Sequence, residues 1–309
     1  MGTDPLSELL ALVDARCVIT GGLRAGGEWA LRSEPEAEVK LDAVLRGSCW
    51  LVVAGRPPVR LVAGDVVVLN RAGPVVLCSA PGVRAVEAAR IPAPGGEPLR
   101  RLGSGADVTI IGGHVALDPA AAELFTSALP AVIHARAAGA EAAELRRLLK
   151  RIMEETAGAR PGAGFARDQH AQLLLLEVLR IGLRQETLLQ PGWLRLLADA
   201  RLRPAVSLMH AEPARAWGLA DLAAAAGMSR SHFAHRFRAV SGQTPLAYLA
   251  QWRVRLAERA LRESDTTVAA LAQRLGYASE SSFSHAFTRV AGMSPSRYRR
   301  TAGRQVPES

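Results

Sequence analysis

Histidine is missing from the first 113 residues, and the seven imidazoles of the chain begin only at His114. An amino-terminal third without imidazole is poorly equipped to hold a catalytic metal. Cysteine is scarce as well. Cys17, Cys49 and Cys78 form no CxxC pair and are odd in number, which argues against a disulfide framework and against a zinc site. Long apolar runs are also lacking. The longest aliphatic stretches, such as Leu173 to Leu176, fall far short of the roughly 20 residues of a membrane span. Met1 to Leu12 is acidic and amphipathic, with neither a basic flank nor a cleavage signal. These absences lead us to expect a cytoplasmic protein with no metal, no cofactor and no membrane partner.

What is present is a globular composition, 49% hydrophobic and 22% charged, over 309 residues, enough for two domains. The formal charge of +9 is unevenly placed. Residues 191–309 hold 17 Arg against 8 acids, while residues 1–190 balance 21 basic against 21 acidic side chains. A basic carboxy-terminal part suits a polyanion, because each Arg that meets a phosphate releases condensed counterions.

From about Cys17 to Ala89 short apolar or alternating stretches, among them Val39 to Leu45, Ser48 to Val53 and Asp65 to Leu69, are punctuated by Gly and Pro turns. This pattern predicts a small β-barrel or sandwich. A further strand, Asp107 to Ile111, is expected after the link Pro92 to Pro98. Beyond Pro119 the period becomes helical, with Ala138 to Glu155 and Phe165 to Gln185 read as amphipathic helices. The second is apolar over more than one face, so another helix or a second subunit should cover the remainder. Glu36, Glu38 and Asp42 read as surface strand acids rather than ligands. The overall class is α+β: a barrel domain over 1–135, a helical segment with dimer contacts over 136–200, and an all-α domain over 201–309.

An internal repeat is the most informative feature. Leu222-Ala223, Gly227, Phe233, Phe237, Gly242, Pro245 and Tyr248 match Leu271-Ala272, Gly276, Phe283, Phe287, Gly292, Pro295 and Tyr298 at every interval except for one extra residue after Gly276. Each copy reads as helix, tight turn, helix. Ser229 and Ser279 serve as N-caps, and the paired phenylalanines four apart point to the core. The opposite faces leave Arg230, Ser231, Ala234, His235 and Arg238 outward in the first copy, and Glu280, Ser281, Ser284, His285 and Thr288 in the second. Small and polar side chains beside Arg are what a helix needs to enter a major groove. Thr244-Pro245 opens a connecting helix to about Glu263, and Arg297, Arg299 and Arg300 of the closing helix suit phosphate contact.

These residues resemble the AraC/XylS-type regulators, notably Leu222-Ala223 with Gly227-Met228-Ser229-Arg230-Ser231-His232-Phe233, and Gly276-Tyr277 with Phe283 through Gly292-Met293-Ser294-Pro295. The resemblance implies a DNA-binding domain of two helix-turn-helix units joined by a linker helix. It also implies base reading by Ser231, Ala234, His235, Ser281, Ser284 and His285. Many members of that family have Arg where His235 and His285 stand. Leu45 to Trp50 and Pro58 to Asp65 are similar to the cupin-type sensor domains of the same regulators. The partners implied are double-stranded DNA across two adjacent major-groove turns, a second copy of the chain, a small-molecule effector, and RNA polymerase where regulation is positive. Two other readings are a regulator that senses oxidants through its cysteines and a cupin enzyme fused to a DNA-binding domain.

Overall fold

Turn residues cut the first part of the chain into strands too short to stand alone, so they must pair into sheets and bury one face. In the computed structural model, which describes residues 4–35, 37–91, 99–119, 122–127, 129–138, 142–157, 160–184 and 191–302, the described residues form two compact units. One is drawn from Ala15–Leu117 and Leu129–Leu189, the other from Met1–Asp14, Asp118–Ala128 and Gln190–Ser309.

The first of these contains β1 (Arg16–Gly26), β2 (Ala30–Ser33), β3 (Val39–Arg46), β4 (Ser48–Val53), β5 (Val59–Val62), β6 (Val66–Asn70), β7 (Val75–Cys78), β8 (Val86–Glu87), β9 (Leu99–Gly103), β10 (Val108–Ala116) and β11 (Val132–Ala135). A six-stranded sheet in the order β11-β6-β3-β10-β1-β9 faces a five-stranded sheet in the order β5-β4-β7-β2-β8. Pairing is antiparallel except for β1 with β9 and β2 with β8. Alternation turns Leu23, Val44, Val67, Leu69 and Ile110 of one sheet toward Cys49, Leu51, Leu61, Val75 and Leu77 of the other, and together they make a continuous apolar core.

Two polar features of this unit depart from, or add to, the sequence expectation. Asp42, expected at the surface, is 4% exposed, and its carboxylate lies 3.1 Å from the Lys40 ammonium. Gly112 sits opposite it across the strands, where a Cβ would come within 3.0 Å of Asp42 Oδ1. Missing bulk on β10 thus makes room for an inward acid. Asp65 is buried in the turn between β5 and β6, accepting from the backbone N–H of Val62 and Ala137 and pairing with His134 at 3.0 Å. Of the three acids weighed from sequence, Glu36 lies outside the described residues, as does the link Pro92 to Pro98.

The helical pair of this unit follows the predicted spans closely: the α3/α4 pair in chain order of all helices, Ala142–Ala157 and Ala163–Arg184, preceded in the other unit by α1 (Pro5–Leu12) and α2 (Ala122–Thr126). The Gln172 amide ties α4 to the start of β1, donating to the Ala15 carbonyl at 2.7 Å and accepting from Cys17 N–H at 2.8 Å. Most of the excess apolar surface of α4 is covered within the chain. Leu174, Leu175, Val178, Leu179 and Ile181 are buried, whereas Leu173 is 46% and Phe165 74% exposed.

The second unit is helical, with α5 (Trp193–Ala198), α6 (Arg203–Ala211), α7 (Leu219–Ala225), α8 (Arg230–Ser241), α9 (Pro245–Glu263), α10 (Val268–Arg274), α11 (Glu280–Ala291) and α12 (Pro295–Ala302) joining α1 and α2. Two earlier pieces of chain therefore belong with the carboxy-terminal domain, in contrast to the linear partition read from sequence. The reason is packing. Leu9 and Leu12 of α1 are buried, Phe125 of α2 stacks on Trp193 at 5.9 Å, and the Trp193 indole donates to the Leu124 carbonyl at 2.6 Å. Among the described residues no helix is long and apolar enough to cross a membrane.

Candidate nucleic-acid interface

The internal repeat is also a structural repeat. Gly227 and Gly276 take φ of +63° and +76° after α7 and α10, the left-handed conformation that a side chain would strain. Ser229 and Ser279 then cap α8 and α11, accepting from the N–H of His232 at 3.4 Å and of Ser282 at 3.1 Å. Gly242 and Gly292 end the same two helices at φ +79° and +73°. Thr244 caps α9 through Ala247 N–H, and Ser294 accepts from Arg297 N–H at the start of α12.

The aromatic side chains repeat with equal regularity. Phe233 and Phe237 lie 5.6 Å apart, with Tyr248 edge-on to Phe237 at 5.7 Å. In the second copy Phe283 and Phe287 lie 5.8 Å apart, with Tyr298 edge-on at 5.5 Å. All four phenylalanines are fully buried. Their burial fixes which faces of α8 and α11 turn outward. Arg230, Ser231, His235 and Arg238 are exposed on α8, with Ala234 half-buried beside them. On α11 Glu280, Ser281, His285 and Thr288 are exposed and Ser284 is half-buried; the Thr288 hydroxyl donates to the Ser284 carbonyl at 2.8 Å.

Arg299, expected to meet phosphate, is placed differently from its neighbours on α12. It is half-buried, and its guanidinium donates to the Thr266 carbonyl just before α10. This arginine braces the second helix-turn-helix, whereas Arg297 and Arg300 on α12 are exposed.

A family profile described as a cupin matches residues 4–183, and one described as a helix-turn-helix domain matches residues 222–301. An AraC-like transcription regulator from Streptomyces lividans is 40% identical over 96% of this chain and 98% of its own length. The chain belongs to the AraC-type transcription regulators. A second AraC-like regulator, from Streptomyces antibioticus, is 37% identical with the same coverage of both chains. Among solved structures, the DNA-binding domain of AdpA in complex with a target DNA is similar at 34% identity, covering 35% of this chain and 98% of that domain, with a TM-score of 0.34. The regulator is thus an α+β protein with a cupin-like amino-terminal part and an AraC-type DNA-binding domain.

Several polar contacts that hold the DNA-binding unit were not anticipated from sequence. Arg236, on α8 between the outward and inward faces, is held by Asp199 at 2.8 Å. Glu258, 2% exposed within α9, pairs with Arg255 at 2.8 Å; burial raises the Glu258 carboxyl above its usual range, against the pull of the Arg255 charge. Arg262 near the end of α9 meets both Asp118 and the Tyr298 hydroxyl. An Arg-x-x-Glu spacing on a predicted helix signals only the Arg255 pair; the others join distant parts of the chain.

The three cysteines are buried and unpaired. Burial pushes the Cys17 and Cys49 thiols up to about 12, which disfavours the reactive thiolate. Cys49 faces the barrel core beside Leu51, and Cys78, opposite Trp50 on the neighbouring strand, occupies the alternate face of the sheet. This arrangement opposes the oxidant-sensing reading.

Proposed function

We propose that the regulator places α8 and α11 in two successive major-groove turns on one side of the duplex. The observation that carries the proposal is the matched pair of Ser-capped helices, each backed by a buried Phe-Phe-Tyr cluster and turning small, polar and basic side chains outward. The 19 residues of α9 between them extend about 28 Å, comparable with the roughly 34 Å between equivalent groove faces. Ser231 and His235 on the first helix, with Ser281 and His285 on the second, reach base edges. Arg230, Arg238, Thr288 and Glu280 flank them, and Ala234 and Ser284 keep the approach close.

The cupin-like unit supplies regulation: a small-molecule effector acts through it, and α3 and α4 carry a homodimer contact in the cytoplasm of the bacterium. Met153 on α3 with Phe165 and Leu173 on α4, all more than 40% exposed, support that contact. A positively acting member of this class also meets RNA polymerase.

Selection of genomic fragments by the full-length protein at physiological salt tests the reading. One enriched motif with two informative blocks about one helical turn apart is the expected result. His235→Ala and His285→Ala should each then lower discrimination at one block by about 1–3 kcal/mol and leave binding to random DNA unchanged. Equal losses on specific and random DNA would show that the wrong helix faces have been assigned.

A further inference from the structure

The repeat is broken at one place, the extra residue after Gly276, and the structure shows what sits there. Between α6 and α7 the chain crosses residues 212–217, a loop whose carbonyls need donors. Arg253, in the middle of α9, supplies two: its Nε donates to the Pro213 carbonyl at 2.6 Å and an Nη to the Arg215 carbonyl at 2.9 Å. The same guanidinium lies 5.5 Å from the centre of the Tyr277 ring, within cation-π range. Tyr277 follows Gly276 in the turn of the second helix-turn-helix and packs edge-on against Phe283 at the start of α11.

Gly276 completes the contact. A Cβ there would come 1.9 Å from the Ala214 carbonyl oxygen, so the loop lies directly against the turn. The equivalent Gly227 of the first copy has nothing within 4 Å of the same position. The loop is stiffened from within by Trp217, whose indole donates to the Glu212 carbonyl at 3.0 Å while Arg215 covers its ring at 4.0 Å. The segment that leads into the first helix-turn-helix is therefore fastened to the turn that leads into the recognition helix of the second.

We infer that Arg253 is a positioning residue that sets the spacing between the two recognition helices on DNA, by clamping the 212–217 loop against the Gly276-Tyr277 turn. A single helix such as α9 fixes distance but leaves twist about its axis to its end contacts; the clamp gives the two units a second point of attachment. The planar fork of Arg suits two converging carbonyls under an aromatic ring, a geometry that the single point charge of Lys does not reproduce. The inference rests on the reading that α8 and α11 both enter the groove.

The test uses the full-length protein and a randomised DNA library. Once the wild-type two-block motif is known, affinities are measured for that site with one base pair added or removed between the blocks, and for a site with only the first block intact. Wild type should lose about tenfold or more on altered spacing, a penalty of the size of one mismatched pair. In Arg253→Gln that penalty should fall to about twofold, with affinity for the first block alone within about twofold of wild type. Arg253→Lys, the milder variant, should fall between the two. An unchanged spacing penalty in both variants, or a proportional loss on every site, would overturn the clamp while leaving the two-helix reading in place. A one-block motif from the wild-type protein would overturn the two-helix reading, and the clamp with it.

Discussion

Removing the Glu8 carboxylate should destabilise the DNA-binding unit even though Glu8 lies some two hundred residues before the recognition helices. The cause is His210 on α6. Its ring stacks on Trp252 at 3.8 Å with the planes 2° apart, its Nε2 lies 2.8 Å from the Tyr248 hydroxyl, and its Nδ1 lies 3.1 Å from Glu8 Oε2. A neutral imidazole suits this surround with Nε2 accepting from Tyr248 and the Nδ1 proton on the side of Glu8, an electrostatic contact rather than a well-aligned hydrogen bond. Glu8→Ala removes the carboxylate that faces Nδ1 of a side chain 3% exposed, and a buried polar group stripped of its charged neighbour costs roughly 1–3 kcal/mol. Glu8→Gln keeps an acceptor oxygen and should cost under about 1 kcal/mol.

Burial lowers the His210 pKa below its ordinary 6.5, against the opposing pull of Glu8. The unfolded chain therefore binds a proton that the folded one resists, so the stability associated with His210 is full above pH 6.5 and declines as the pH falls toward the folded value. In Glu8→Ala the opposing carboxylate is gone, and the acid-sensitive range should extend to lower pH. Native-state hydrogen exchange of the α6 and α9 amides, read from pH 5 to 8, measures both effects. Wild-type protection in Glu8→Ala, or an equal loss in Glu8→Gln, would refute the assignment.

Phe287→Ala removes a fully buried ring between Phe283 and Tyr298 and should cost about 3–5 kcal/mol in urea denaturation, with loss of binding at the second DNA block before the first. Cys17 and Cys49, 2% and 1% exposed with thiols raised by burial, should be alkylated by iodoacetamide at pH 8 only as the protein unfolds. Rapid native-state labelling at either would restore the oxidant-sensing reading.

The parts of the fold that were legible in the sequence are those governed by local rules. Alternation and turn residues placed β3, β4, β6 and the start of β10, and the Thr244-Pro245 cap placed the start of α9, with its end near Glu263. Both helix-turn-helix units followed from glycines and serine caps. Long-range contacts left weaker marks. Asp42 looked like any strand acid because nothing near it in sequence announces Gly112 across the sheet. Arg299 looked like other carboxy-terminal arginines until folding brought the Thr266 carbonyl to it. Nor does an amphipathic α1 carry any sign that its partners are α6 and α9 rather than the strands that follow it.

The symmetry of the repeat ends at the residues turned outward, and that difference bears on how the two helices share the work. The α8 face carries Arg230 and Arg238, two exposed guanidiniums able to meet phosphate or guanine; the α11 face carries no Arg among Glu280, Ser281, Ser284, His285 and Thr288. Glu280 sits in the first turn of α11, where the helix dipole favours an acid, and as an acceptor it suits a cytosine amino group but repels phosphate. Of the two recognition-helix faces, that of α8 should therefore carry more of the salt-dependent affinity, while Arg297 and Arg300 of α12 are the exposed cations placed to meet phosphate in the second unit. Replacing Arg230 and Arg238 together by Ala should reduce the slope of log K against log salt by about 2 if both meet phosphates. His285→Ala should leave that slope unchanged and relax only the second block. A slope that falls equally in both proteins would mean that α11 binds the backbone after all. A helix with so little electrostatic grip of its own depends on being held in register by the rest of the molecule, which is the service that the contact of Arg253 with residues 213 and 215 would perform.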